Sequence, residues 1–183
     1  EQWDYDKNIG NSPSDITCGS GKKVWWKCSN GHSYHQYVFS HAKGIGCPYC
    51  RGVETLQGFN DLQTANPVYL KEWDEEKNAP LKPDMVRMMS NKKVWWKCSE
   101  DHSYNASLDK RAAGCGCPYC AGKKVLVGFN DLQSIRPEVA KLWAYEKNGQ
   151  LTPAMVAVKS NKRVWWKCNN NHFWKAQISN VTE

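Results

Sequence analysis

Cysteine and histidine recur at fixed spacing in this 183-residue sequence. Cys28 and His32 are followed, after fourteen intervening residues, by Cys47 and Cys50; Cys98 and His102 are followed at the same interval by Cys117 and Cys120. Three thiolates and one imidazole suit the tetrahedral preference of zinc. The short loops within each pair let both ligands face one ion. Four protein ligands also leave no open position for water or substrate, so these two closed sites are expected to be structural. Cys168 and His172 begin a third set whose closing pair would fall at 187 and 190, past the last residue, and that site is expected to be incomplete. A disulfide framework is the competing reading, but the Cys-x2-Cys spacing and the paired histidines oppose it. Redox chemistry at Cys-x2-Cys lacks the βαβ context it needs. Cys18 and Cys115 align with apolar residues of the other repeats, which predicts two small buried hydrophobes. His35 and His41 align with non-ligands and are expected to bind no metal.

The segments that must position these ligands form an array. Val24-Trp25-Trp26-Lys27-Cys28 returns as Val94-Trp95-Trp96-Lys97-Cys98 and as Val164-Trp165-Trp166-Lys167-Cys168, always 70 residues on. Residues 58–113 align with 128–183 without a gap, with 26 identities in 56 positions, which makes the repeat certain. Three units follow: 1–52 with its lead-in cut short, 53–122 complete, and 123–183 without its second cysteine pair. The sequence opens on Glu1 rather than Met and shows no export signal, and it reads as a fragment of a longer array or multidomain protein. Within a unit, Asn60-Asp61 offers a cap for a helical turn beginning at Leu62. Pro67 suits the start of a second helix carrying Leu70 and Trp73 on one face. Lys93 to Cys98 reads as a strand and Tyr104 to Leu108 as its hairpin partner. Each unit is too small for a large core and needs a metal staple.

The run Ser90-Asn91-Lys92-Lys93-Val94-Trp95-Trp96-Lys97-Cys98, then His102, then Gly116-Cys117-Pro118-Tyr119-Cys120, resembles the tandem "probable zinc-ribbon" family, also described as a treble-clef zinc finger domain. The Pro67-to-Trp73 and Pro137-to-Trp143 lead-ins and the Lys77-Asn78 pair are similar to it too, and the resemblance spans essentially the whole chain. It implies small α+β zinc-stapled modules, each with a zinc knuckle, a hairpin and a short helix started by the Cys-Pro-x-Cys pair. It also implies an accessory role, since some relatives accompany repair-like or restriction-like nuclease domains.

Charge points to a partner. Lys and Arg total 25 against 18 acidic residues, a formal +7; each closed zinc site contributes a net −1, leaving about +5. Strand alternation places Lys23, Trp25 and Lys27 on one face and Val24, Trp26 and Cys28 on the other. The first set repeats as Lys93, Trp95, Lys97 and as Arg163, Trp165, Lys167, and Lys22, Lys92 and Lys162 add one cation per unit. Cations alternating with indoles suit phosphates and bases. The expected function is a tandem zinc-finger array that binds nucleic acid, DNA by preference, as a targeting or accessory part of a larger protein linked to a nuclease or defence system. Its expected place is inside the cell, in the cytoplasm or at the nucleoid. The alternative is a protein-interaction scaffold using the Trp-rich strand faces. With the histidines committed to metal and no Gly-rich phosphate loop, no enzyme is expected in these residues, and no stretch is apolar enough to span a membrane.

Overall fold

The computed structural model describes residues 2–182. Its regular elements are β1 (Lys23–Lys27), β2 (Ser33–Tyr37), α1 (Val38–Ala42), α2 (Leu62–Ala65), α3 (Glu75–Asn78), β3 (Lys93–Lys97), β4 (Ser103–Ser107) and α4 (Leu108–Ala112). After these come α5 (Leu132–Ile135), α6 (Pro137–Ala140), α7 (Tyr145–Asn148), β5 (Arg163–Lys167), β6 (Phe173–Gln177) and α8 (Ile178–Thr182). The strands form three two-stranded sheets, β1–β2, β3–β4 and β5–β6. The architecture is a tandem array of small α+β modules of treble-clef type. Two compact units divide the chain, Glu1–Val94 with Ser107–Ala112 and Trp95–Ala106 with Ala113–Glu183. Among the described residues no helix is long and apolar enough to cross a membrane.

In the first unit the β1–β2 hairpin pairs Val24 with Gln36, Trp25 with His35 and Trp26 with Tyr34. Period-two alternation turns Val24 and Tyr34 inward and leaves Lys23 and Lys27 exposed. The segment before the hairpin pairs with β1 through an isolated bridge: Trp3 bridges Trp26, and the Lys27 amide donates to the Gln2 carbonyl at 2.7 Å. The two indoles meet edge to face at 5.7 Å, the arrangement their quadrupoles favour. Asn8 closes the open edge of β1. Its amide nitrogen donates to the Trp25 carbonyl at 2.7 Å, and its oxygen accepts the Trp25 amide at 2.9 Å.

The second unit repeats this plan. Trp143 bridges Trp166, their rings lie 5.6 Å apart, and Asn148 grips both polar groups of Trp165. Its core gathers Leu132, Ala140, Trp143, Val156, Val164, Trp166 and Ile178, with Val139, Leu142, Val158 and Val181 packed against them. Leu132 reaches that core because Asp131 caps α5: its carboxylate accepts the Ser134 and Gly128 amides, and the Leu132 amide donates to the Val156 carbonyl at 2.8 Å. Asp61 caps α2 in the same way, accepting from Thr64 and Gly58.

Four expectations change. Trp73 and Trp143 do not lie on a lead-in helix. The 3-10 turn Val68–Glu72 ends before Trp73, which is extended (φ −63, ψ 123), and Trp143 is a bridge partner of β5, whose edge pairs the backbone beside it. The second strand of the middle hairpin ends at Ser107, and Leu108 starts α4 instead, turning its side chain into the core. No helix follows Cys-Pro-x-Cys among the described residues. Residues 48–52 form a single turn, ended where Gly52 takes a left-handed φ of 65. Cys18 and Cys115 are both exposed. Val158, the counterpart of Cys18, packs against the cluster containing Leu132. Cys115 lies in the Gly114–Gly116 loop, where its apolar counterpart Ile45 is exposed as well.

Candidate metal centres and the basic hairpin faces

Each hairpin delivers its first two ligands from a tight knuckle. The Gly31 amide donates to the Cys28 carbonyl at 2.9 Å and the Cys28 amide to the His32 carbonyl at 3.0 Å. The residue before each histidine must be left-handed: Gly31, Asp101 and Asn171 have φ of 80, 61 and 62. Glycine, aspartate and asparagine tolerate that region best. The second pair comes from the Cys47-Pro48-Tyr49-Cys50 turn, closed by the Arg51 amide on the Cys47 carbonyl.

The four side chains converge. In the first cluster Cys28 Sγ lies 3.6 Å from His32 Nδ1 and 3.8 Å from Cys50 Sγ, and His32 Nδ1 lies 3.2 Å from Cys50 Sγ and 3.8 Å from Cys47 Sγ. In the second, Cys98 Sγ lies 3.6 Å from His102 Nδ1 and 3.8 Å from Cys120 Sγ, with His102 Nδ1 at 3.3 and 3.8 Å from Cys120 and Cys117. A tetrahedron with sulfur about 2.3 Å and nitrogen about 2.05 Å from its centre has edges of about 3.8 Å between sulfurs and about 3.6 Å between sulfur and nitrogen. The donors therefore fit one zinc ion per cluster, and no disulfide joins the described cysteines.

The surroundings favour the thiolate at two of the ligands and oppose it at two others. Burial opposes ionisation of Cys28, yet amide donation from Asn30 and His32 prevails and the thiol sits below its ordinary range. Cys98 behaves alike through Glu100 and His102. Burial pushes Cys47 up to about 11 and Cys120 up to about 12. A divalent cation supplies the charge these two lack. Asn30 also donates to Cys50 Sγ at 3.3 Å, steadying that ligand.

A family description of probable treble clef zinc finger domain matches residues 1–53, 69–123 and 139–183. The chain belongs to that family. A search of curated proteins finds no match. As a treble-clef array it binds zinc, and two clusters among the described residues each offer four protein donors for it. Cys168 and His172 form the same knuckle, with the Cys168 amide on the His172 carbonyl at 3.1 Å, but no third or fourth ligand joins them among the described residues.

Sequence reasoning missed what lies against the zinc-binding histidines. Phe59 packs on His32 and Phe129 on His102, each at 4.1 Å between ring centres. The next residue clamps the cysteine turn. Asn60 donates to the carbonyls of Tyr49 and Glu54, both at 2.9 Å, and accepts the Leu56 amide at 2.7 Å. Asn130 does the same with Tyr119, Lys124 and Leu126. These residues lie outside the matched segments, in the stretches joining one match to the next. The repeated Gly-Phe-Asn-Asp-Leu at 58–62 and 128–132 was the available signal.

The candidate contact residues divide by face. Lys22, Lys23, Lys27, Lys92, Lys93, Lys97, Lys162 and Arg163 are exposed and Lys167 is half-buried. Trp25 and Trp165 are half-buried, and Trp95 is 37% exposed. The Trp25 ring has two neighbours, stacked His35 at 5.0 Å and the Lys7 ammonium at 4.3 Å. Lys147 lies 4.7 Å from the Trp165 ring and Lys175 5.9 Å. Lys7, Lys147 and Lys175 thus belong to the basic face, although the strand pattern alone did not reveal them. Acidic neighbours temper it: Lys27 pairs with Asp6 at 3.9 Å, Lys97 with Asp101 at 3.1 Å and Lys167 with Glu146 at 3.1 Å.

Proposed function

We propose that this treble-clef array binds nucleic acid, duplex DNA above all, with two closed zinc sites holding the modules in shape and Cys168 and His172 as half of a third. The observation that carries this reading is the repeated basic face opposite the buried side of each hairpin. Around Trp165 alone stand Lys147, Arg163, Lys167 and Lys175. Lysines held over indoles are partly ordered before any ligand arrives, so a phosphate meets cations already in place. The exposed pairs with Asp6, Asp101 and Glu146 contribute little and exchange readily for phosphate. Because His35 and Lys7 cover Trp25, its role is to position cations rather than to stack on a base. Such binding, blind to sequence, suits a targeting or accessory part that works inside the cell beside a nuclease domain or subunit, with the catalytic site outside these modules.

Titration of the zinc-loaded chain against duplex DNA, single strands and RNA at about 50 and 200 mM salt tests the proposal, because each phosphate contact adds about 0.9 to the salt slope on duplex. Replacing Lys22, Lys92 and Lys162 with alanine is expected to weaken binding to all duplexes alike and to lower the slope by up to about 3. Absence of binding at low salt defeats the proposal. Tight binding of a protein partner that ignores salt supports the scaffold reading instead.

A further inference from the structure

The lead-ins of the second and third repeats open alike: Gly58–Gln63 and Gly128–Gln133 are identical. An array built so faces a folding hazard, since one module's lead-in can dock on another module or another chain. At one contact, however, the three repeats differ, and they differ in matched pairs. In the first, His41 Nε2 shares a hydrogen bond with Gln2 Oε1 at 2.8 Å. At the same positions in the second, Arg111, only 5% exposed, forms an ion pair with Glu72 at 2.8 Å. In the third they are Leu142 and Val181, both packed against the apolar cluster around Leu132. A second lead-in position follows suit. The Tyr69 ring lies 5.3 Å from the Arg111 guanidinium, and its counterpart Val139 joins Leu142 and Val181 on the apolar cluster.

We propose that these pairs are keys: polar, ionic and apolar solutions to one contact, which tie each lead-in to its own module and penalise exchange. A lead-in carrying Leu142 set against Arg111 leaves a buried guanidinium without its carboxylate. One carrying Glu72 set against Val181 pushes a carboxylate into an apolar cluster. The first mismatch takes from Arg111 its ion pair with Glu72, and the second sets a charge among apolar side chains, both costly contacts. Specificity here comes from what the wrong pairing loses, while the matched pairs need only be adequate.

The test gives the middle module the apolar key of the third. Glu72→Leu alone is expected to lower the midpoint of thermal unfolding, because Arg111 loses its partner. Adding Arg111→Val and Tyr69→Val is expected to recover most of that loss and to retain zinc. This matched variant and the unaltered chain are then refolded from denaturant with zinc over a range of protein concentrations. Size-exclusion chromatography with light scattering reads the fraction in dimers and larger species. The keys predict a several-fold larger fraction for the matched variant despite its recovered stability. Equal monomer yields for the two proteins overturn the proposal, as does a Glu72→Leu chain as stable as the original. Should the matched variant not fold, the inverse graft of Leu142→Glu, Val181→Arg and Val139→Tyr into the third module makes the same comparison.

Discussion

Replacing Asn130 with alanine removes three hydrogen bonds from the clamp on the second zinc turn. The side-chain amide donates to the carbonyls of Tyr119 and Lys124, both at 2.8 Å, and accepts from Leu126 at 2.7 Å. Tyr119 lies between the ligands Cys117 and Cys120. A neutral hydrogen bond contributes about 0.5–1.5 kcal/mol net. Asn130 is half-buried, so the lower part of that range applies and three bonds amount to about 1.5–3 kcal/mol. In a small zinc module folding and metal binding share one free energy, and each 1.4 kcal/mol is tenfold in affinity. The expected result is a roughly 10- to 100-fold weaker second site, with the Cys28–His32–Cys47–Cys50 site unchanged as an internal reference. Competition between the protein and a chromophoric zinc chelator at fixed pH measures both steps. Asn60→Ala should reverse the pattern, weakening the first site and sparing the second. Equal zinc affinities for Asn130→Ala and the unaltered chain, within about twofold, would refute the idea that the clamp supports the metal.

Further outcomes follow from the same structure. Leu132→Ala empties a site with no solvent exposure and is expected to cost about 2–5 kcal/mol, read by denaturant unfolding of the zinc-loaded chain; a loss under about 1 kcal/mol would show that Val139 and Val181 collapse into the space. Removing zinc with a strong chelator should abolish the cooperative thermal transition and restore it on readdition, and an unchanged transition would mean the Trp3–Trp26 and Trp143–Trp166 cores hold without the metal. Burial holds the His41 imidazole below its ordinary range, so the unfolded chain binds the proton more readily and stability falls as pH drops through the ordinary histidine value toward the lower folded one. His41→Val is expected to flatten that decline between about pH 7 and 5 relative to the unaltered chain, in parallel thermal melts; identical slopes would exclude a contribution from His41.

The local chemistry was largely legible in the sequence. Spacing in Cys28-x3-His32 and Cys47-x2-Cys50 is a short-range property, set by how few residues can bend to bring two donors onto one ion, and the clusters form where that spacing places them. The 70-residue period and the alternation in Lys23–Lys27 are local in the same sense, and Val24 turns inward while Lys23 and Lys27 face solvent. Asp61 capping α2 needs only the residues to Thr64. What escaped sequence reasoning depends on partners far along the chain. Trp143 is a strand residue because the edge of β5, 23 residues later, offers backbone groups to pair with. Asn60 read only as part of a helix cap and Phe59 carried no assignment until the fold set them against the Cys47–Cys50 turn and His32. The sequence by itself determined the repeat, the donor sets and the polarity of each hairpin, because each is decided over a few residues. Tertiary structure alone decided how Phe59 and Phe129 shield the histidines, how Lys7 and Lys147 join the basic faces, and how Glu72 finds Arg111, since each contact forms only when distant segments share one core.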